Sequence, residues 1–473
     1  MCREELESRR RALEDRGGRL VAENERLRRE NAELSERVRS LVEQLEKARR
    51  AGKRQAAPFA MGEPAPRPAR PGRRPGPAHG PVGRRDEPPA VDEIVHVPLP
   101  ADCPGCGGTL EHTGTGERVQ IALPEPRPRI TRHRCERGRR AGCAQAVVAR
   151  HPNQTSTATG AAGVMRGPRA VAAGAMLHHE PGLSWAEVAR VGADVLGLSA
   201  TRSGRCRAAA RVGEAAGPTD VMLLRRPGRS AAVALDETGR RVGGRSAWPW
   251  TGVGDRVTLF RVAPGRGYAE AQRLIPAGYA GVIERDGWAP YRKFGDASHQ
   301  TCVAHLLRRI GEMREVAAPG APRRLLATLA ALLHDALVLR GRRDEGRLCE
   351  GELEHARSAL GARADALLAP TPRDPATRRL VAHLRRERTA LLTFLERPGV
   401  QATNRRAEQA IRPAVVIRKV WGGHRTWAGA RLGERLMSLM RTCRRRGLDP
   451  LAQMVALQRA SGPMALALVA SPP

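Results

Sequence analysis

Leu6, Leu13, Leu20, Leu27, Leu34 and Leu41 recur every seven positions, with Asn24, Asn31, Val38 and Leu45 forming a second line between them. This heptad predicts a coiled coil over residues 1–50. Leucine on one line with asparagine on the other favours parallel two-stranded pairing, because each Asn bonds its mate only in that register. Gly17 and Gly18 interrupt the early part, so the stable zipper is expected to begin near Leu20. From 51 to 91 the periodicity dissolves into Pro, Gly, Arg and Ala, which predicts a disordered basic linker. Helical patterning returns over 160–220. There Leu183 to Arg190, a turn, and a Ser- or Thr-capped segment after Leu198 suggest a helix-turn-helix-like element or an ordinary helical hairpin.

Over 225–450 the pattern changes again. Short apolar runs, Ala231 to Leu235 and Gly281 to Ile283, read as buried strands, and Trp248 to Val262 supplies further strands. A helix is expected over Tyr268 to Ile275. Residues 314–396, rich in Leu, Ala and Arg at helical spacing, read as a helical insertion, and 451–473 as a C-terminal tail. The order of elements fits an α/β catalytic core of the ribonuclease-H-like kind with that insertion.

Each of the two apolar runs delivers an acid, Asp236 in ALDETG and Asp286 in IERDGW. A third, Glu408, lies in a helical pattern with Asn404 and Arg412 at i−4 and i+4, near one face, so that Glu408 could ligate metal while these flanking groups meet DNA. Carboxylates converging from strand ends and a helix suit two divalent ions, which in-line attack on a phosphodiester requires. Taken singly, each acid is better explained as a solvated surface group, because carboxylates are mostly exposed. Glu237, beside Asp236, should point to the opposite side of an extended strand. Cys302 and His305 read as packing or phosphate contacts before a metal pair, and Trp288 and Tyr291 as core aromatics before base-stacking platforms.

Charge narrows the choice of partner. Lys and Arg number 82 against 49 Asp and Glu, a net charge of +33, and a polyanion such as DNA or RNA is expected. Part of this bias is compositional, since Arg, Ala, Gly and Pro are abundant throughout. Candidate DNA contacts are Arg308, Arg309, Arg412, Arg418 and Lys419 near the acids, Arg202 and Arg205 on the second helix of the helix-turn-helix-like segment, and Arg73 and Arg74. The last two sit in an Arg- and Pro-rich stretch that suits either a minor-groove arm or a plain tether. No run of about 18 apolar residues appears and the amino terminus is charged, so a soluble intracellular protein is expected, without a membrane partner.

Nine cysteines without secretory context argue against a disulfide framework. Cys103 and Cys106, in CPGCGG, have zinc-knuckle spacing, and with Cys135 and Cys143 predict a small structural Zn2+ module over 92–150. Seven residues separate Cys135 from Cys143, where ribbons have two. His133 or His112 is therefore an alternative ligand, and unligated thiols remain the other reading.

Several long motifs together resemble transposases of insertion-sequence family sixty-six, a branch of the DDE transposases. They are Lys53-Arg54-Gln55, Asp236-Glu-Thr238, Arg285-Asp-Gly-Trp288 with Tyr291, and Cys302-Val-Ala-His305-Leu-Leu-Arg308-Arg309. The series continues with Asn404-Arg-Arg-Ala-Glu408-Gln-Ala-Ile-Arg412, Arg418-Lys419, Gly423, and Ser438 through Pro450. The resemblance spans nearly the whole chain; the second cysteine pair departs from it. It implies a bacterial, cytoplasmic enzyme, nucleoid-associated when bound, that recognises terminal inverted repeats. Asp236, Asp286 and Glu408 would be its catalytic carboxylates, binding two Mg2+. Water would cut the phosphodiester at an element end, and the freed 3′ hydroxyl would attack target DNA. A homodimer or higher oligomer through the coiled coil and accessory element-encoded proteins are the further partners implied. The alternative is a DNA-binding relative that no longer cuts.

Overall fold

The computed structural model describes residues 16–38, 40, 88, 90–123, 125, 128–154, 165–317, 319–460 and 462–468. Leu6, Leu13, Leu41 and Leu45 of the heptad, and Arg73 and Arg74, lie outside them. The chain divides into two units, Met1–Ala122 and Leu123–Pro473. The boundary falls inside the segment expected as one zinc module. Cys103 and Cys106 belong to the first unit, Cys135 and Cys143 to the second.

In the first unit, helix α1 (residues 16–38) runs through Gly17 and Gly18 rather than starting after them. Glycine costs a helix about 1 kcal/mol per residue but does not forbid it. Leu20, Leu27, Leu34 and Val38 are exposed along its length. Arg26 and Arg29 make ion pairs with Glu23, Glu30 and Glu25 at helical spacing, a modest local support.

The second unit opens with an antiparallel hairpin of β1 (Arg137–Arg139) and β2 (Ala146–Val148). Four helices follow: α2 (Pro168–His179), α3 (Trp185–Asp194), α4 (Arg202–Ala215) and α5 (Gly217–Leu224). Ser184 and Glu187 form a capping box on α3, and Thr201 caps α4 through the Gly204 amide. Val171, Ala172, Ala175, Ala209, Val212 and Leu223 from this group are buried in one core with sheet residues Val233, Leu235, Trp250 and Leu259. The helix-turn-helix-like pair is therefore packed into the α/β body. Its apolar stripe is continuous with the main core, so it is not a module of its own.

The sheet contains β3 (Ala232–Glu237), β4 (Arg240–Val242), β5 (Arg245–Val253), β6 (Thr258–Ala263), β7 (Val282–Arg285), β8 (Ser298–Thr301) and β9 (Gly423–His424). Its order is β8-β7-β3-β5-β4-β9, with β6 also pairing β5. The β8, β7 and β3 strands are mutually parallel, β3 to β5 and β5 to β6 are antiparallel, and β4 to β9 is parallel. This mixed α/β architecture is compatible with a ribonuclease-H-like fold. The helix expected over Tyr268 to Ile275 is shorter, α6 (Tyr268–Ala271), because its last residues turn toward Pro276 and Gly278, which has a positive φ of 72°. Leu274 and Ile275 still bury their side chains.

After β8 come α7 (Val303–Val316) and the insertion: α8 (Ala321–Asp344), α9 (Glu350–Leu368), α10 (Pro375–Arg386) and α11 (Thr393–Glu396). Their core of Leu329, Leu333, Leu368, Leu384 and Phe394 is continuous with Val303 and Ile310 of α7 and with Val282 of β7. A buried ion pair fastens the insertion to the sheet. Arg285, at the end of β7, places Nη2 2.8 Å from Glu387 Oε2, and Arg292 Nη1 lies 2.9 Å from the other oxygen. Helices α12 (Arg405–Val420), α13 (Trp427–Arg445) and α14 (Pro450–Arg459) complete the unit. The described part of the segment expected as a tail packs on the body instead: Met454 and Leu457 of α14, with Leu466 and Leu468 beyond it, are buried in the main core. Their apolar side chains cover α2 and α4, which would otherwise face water. No helix among the described residues is long and apolar enough to cross a membrane.

The edge strand β6 is protected by polar side chains. Glu434, Ser438 and Thr442, spaced by four on α13, accept the amides of Val262, Phe260 and Thr258 at 2.6, 2.9 and 3.1 Å. Alternate residues of an extended edge aim their N–H groups outward, so one face of a helix satisfies all three. Ser438→Ala leaves the Phe260 amide buried and unpaired, which should cost about 1–3 kcal/mol. A urea melt checks this: the midpoint falls while the slope stays constant, and an unchanged midpoint would show that the bond carries no net weight.

Candidate active site

Strands β3 and β7 pair in parallel with Ala232 opposite Val282 and Ala234 opposite Glu284. Extending that register by two residues sets Asp236 beside Asp286. Each acid is held by a local backbone amide: Asp236 Oδ1 accepts from Glu237 N at 2.9 Å, and Asp286 Oδ1 from Trp288 N at 2.8 Å. The latter closes the turn that ends β7. Glu408 occupies the first turn of α12.

Two ties, one buried and one partly buried, bring that helix to both strands. Asn404, just before α12, donates from Nδ2 to the Leu235 carbonyl at 2.7 Å, one residue ahead of Asp236. Arg406 Nη2 lies 2.9 Å from Glu284 Oε1, two residues ahead of Asp286, and Glu284 also accepts the Gln401 amide at 2.7 Å. Asn404 was expected to face DNA with Glu408 and Arg412, but it is buried. As the N-cap residue of α12, it turns its side chain to the Leu235 carbonyl of β3 instead.

Burial, and then the charges of Glu237, Asp286 and Glu408, push the Asp236 carboxyl well above the usual carboxylate range. Asp236 thus feels both of the other acids. None of the three has an Arg or Lys ion-pair partner among the described residues. The neighbouring Glu237 does: Arg266 lies 2.6 Å from its Oε1, and Tyr291 donates to Oε2. Glu237 faces the opposite side of β3, as alternation along a strand requires. The Arg266 guanidinium lies 4.0 Å from the Trp288 ring centroid and 4.9 Å from that of Trp248. Tyr291 is fully buried, in accord with its reading as a core aromatic, whereas Trp288 is only half-buried.

His305, in the first turn of α7, places Nδ1 3.4 Å from Glu408 Oε1. Interaction with Cys302, then the charges of Glu408 and Asp286, outweigh burial and push its pKa up to about 9. Cys302 is buried and accepts the Asn404 amide on Sγ at 3.2 Å. The sequence signal for this arrangement was the three-residue spacing at a helix start. Its meaning depended on Glu408 arriving from another helix.

The basic candidates separate by exposure. Arg308 and Arg309 on α7, Arg412 and Lys419 on α12, and Arg202 on α4 are exposed. Arg418 instead ties α12 to the turn after β3, donating to the Gly239 carbonyl at 2.9 Å. Arg205, expected on a DNA-reading face, is buried: it donates to the Leu198 carbonyl and fills the space beside Gly192, where a Cβ would collide with its guanidinium. Helix α3 packs over that side of α4. In the first unit, Cys103 and Cys106 shape a tight turn. The Cys103 amide donates to Gly108 O at 2.9 Å and Gly107, at φ 71°, donates back to Cys103 O at 2.8 Å. Backbone amides of Gly105 and Cys106 hold the Cys103 thiol below its ordinary pKa. In the second unit Cys135 accepts from Gln154 Nε2 at 3.3 Å, and Cys143 is exposed.

The family model described as Transposase IS66 family matches residues 163–432. That span begins before α2 and ends within α13, so it includes the helices packed on the sheet, the insertion and all three acids. The uncharacterized protein y4qI of Sinorhizobium fredii (strain NBRC 101917 / NGR234) is 24% identical over 399 residues, covering 76% of this chain and 70% of its own length.

Asn404→Ala removes the tie between α12 and β3 and leaves the Leu235 carbonyl unpaired. The expected cost is about 1–3 kcal/mol in chemical denaturation. A variant as stable as the parent would exclude Asn404 as the tether of α12.

Proposed function

Because this chain belongs to the IS66 transposase family, we propose that it cuts and joins DNA at the ends of a bacterial mobile element, with Asp236, Asp286 and Glu408 as the catalytic acids. The observation that carries this reading is the convergence of three carboxylates with no Arg or Lys partner among the described residues, Asp236 destabilised by the charges of the other two. A cluster of like charges with hard oxygen donors fits divalent magnesium. When bound, two such ions would supply charge stabilisation for the attacking and leaving oxygens of in-line phosphoryl transfer.

The chain's own residues do the rest. The ties of Asn404 and Arg406 keep Glu408 in register with the two strand-end aspartates, and a rigid constellation is what positioned displacement requires. Exposed Arg308, Arg309, Arg412 and Lys419 on α7 and α12 flank the acids and hold the phosphate backbone on either side of the cut. Water attacks the phosphodiester at the element end, and the released 3′ hydroxyl then attacks the target strand. The heptad leucines left exposed on α1 support pairing of two chains, which would bring two element ends together. The Cys103–Cys106 turn, with its low thiol pKa, supports a structural zinc ligand pair in the first unit.

The purified protein should cleave DNA ending in the inverted repeats that flank its gene, only with Mg2+ or Mn2+ present. Asp286→Asn should lower the rate by on the order of 10^3-fold or more while binding persists. Equal cleavage by parent and variant would remove Asp286 from the chemistry. Arg412→Ala should weaken DNA binding for all sequences alike and reduce the slope of log affinity against log salt by about one. A slope that does not move would place Arg412 away from the phosphates.

A further inference from the structure

We propose that Cys302, His305 and Glu408 form a second metal-ion site, selective for a thiophilic divalent cation such as Zn2+, which shares Glu408 with the acid triad. One ligand atom from each of these residues lies within 4.8 Å of the other two, the group of this kind found among the described residues. Two ligands on bonds of about 2.0 Å in a tetrahedral site stand about 3.3 Å apart. His305 Nδ1 and Glu408 Oε1 are 3.4 Å apart. That nitrogen is shielded from solvent and has no properly oriented hydrogen-bond partner.

The surroundings suit a metal-bound thiolate. Cys302 is the residue preceding α7, a helix of 14 residues, and the positive end of a helix dipole suits a negatively charged metal ligand. The Asn404 amide already points at Sγ, an outer-layer hydrogen bond of the sort that orients metal ligands. One sulfur, one imidazole and one carboxylate leave a tetrahedral ion one open position. Magnesium prefers an all-oxygen octahedron, so the sulfur and nitrogen select against it. The half-exposed His305 ring borders solvent, which provides a route of entry. The site stands on its donor set and does not require that the triad cut DNA.

Co2+ is the probe, added to the full-length protein in excess Mg2+ and read by absorption and by equilibrium dialysis. To remove competing thiolates the measurement uses a background in which Cys103, Cys106, Cys135 and Cys143 are changed to Ser, and is repeated in the otherwise unchanged chain. The expected result is tetrahedral d–d absorption with a sulfur-to-cobalt charge-transfer band. Cys302→Ser should abolish the charge-transfer band and His305→Gln should lose the bound ion. Glu408→Gln should weaken binding by at least about tenfold. Circular dichroism confirms the fold of each variant. Should Cys302→Ser not fold, the half-exposed His305→Gln decides alone. An identical cobalt spectrum and stoichiometry in parent and His305→Gln overturns the proposal, as does a sulfur-to-cobalt band that survives Cys302→Ser.

Discussion

The parallel pairing of β3 with β7 is the constraint on which the rest of the second unit depends. Parallel neighbours cannot be joined by a tight turn, so the chain between them makes β4, β5, β6 and α6 before it returns. The return buries β7 on both faces, between the main core through Ile283 and the insertion core through Val282. A slip of one residue would turn every side chain of β7 to the wrong face. The register that keeps Ile283 and Val282 apolar-side-in therefore also sets where Asp286 emerges beside Asp236.

Buried charge then couples distant segments to that pair of strands. Glu284 joins Arg406 near the start of α12, Arg285 joins Glu387 after α10, and Asp220 joins Arg261 of β6 at 2.9 Å. Such pairs give little net stability over apolar packing, yet removing one partner is costly because the other is stranded. Here two of them use the residues immediately before Asp286, one tied toward the helix that carries Glu408 and one toward the insertion. The insertion thus bears on the acid site through Arg285.

The same acids explain the division of labour among cations. Glu237, which faces the back of the sheet, receives Arg266 and Tyr291 and is neutralised there. On the front, Asp236, Asp286 and Glu408 keep their oxygens clear of arginine, while exposed Arg308, Arg309 and Arg412 stand a turn further along α7 and α12. This separation of charge is what the proposed phosphoryl transfer would use.

Much of this was readable from one dimension. The acids at strand ends, the alternation that turns Glu237 away, the helical insertion and the basic excess all follow from local periodicity and composition, because side-chain direction in strands and helices has a fixed period. What the chain alone did not reveal depends on partners far apart in sequence. Arg205 reads as a DNA contact until α3 covers it, and Asn404 until β3 lies beneath it. Residues 451–473 read as a tail until α2 and α4 offer α14 a surface, and Cys302 with His305 has a third donor only when Glu408 arrives, 103 residues after His305. Burial and donor geometry are properties of assembled elements, and only the tertiary structure decided them.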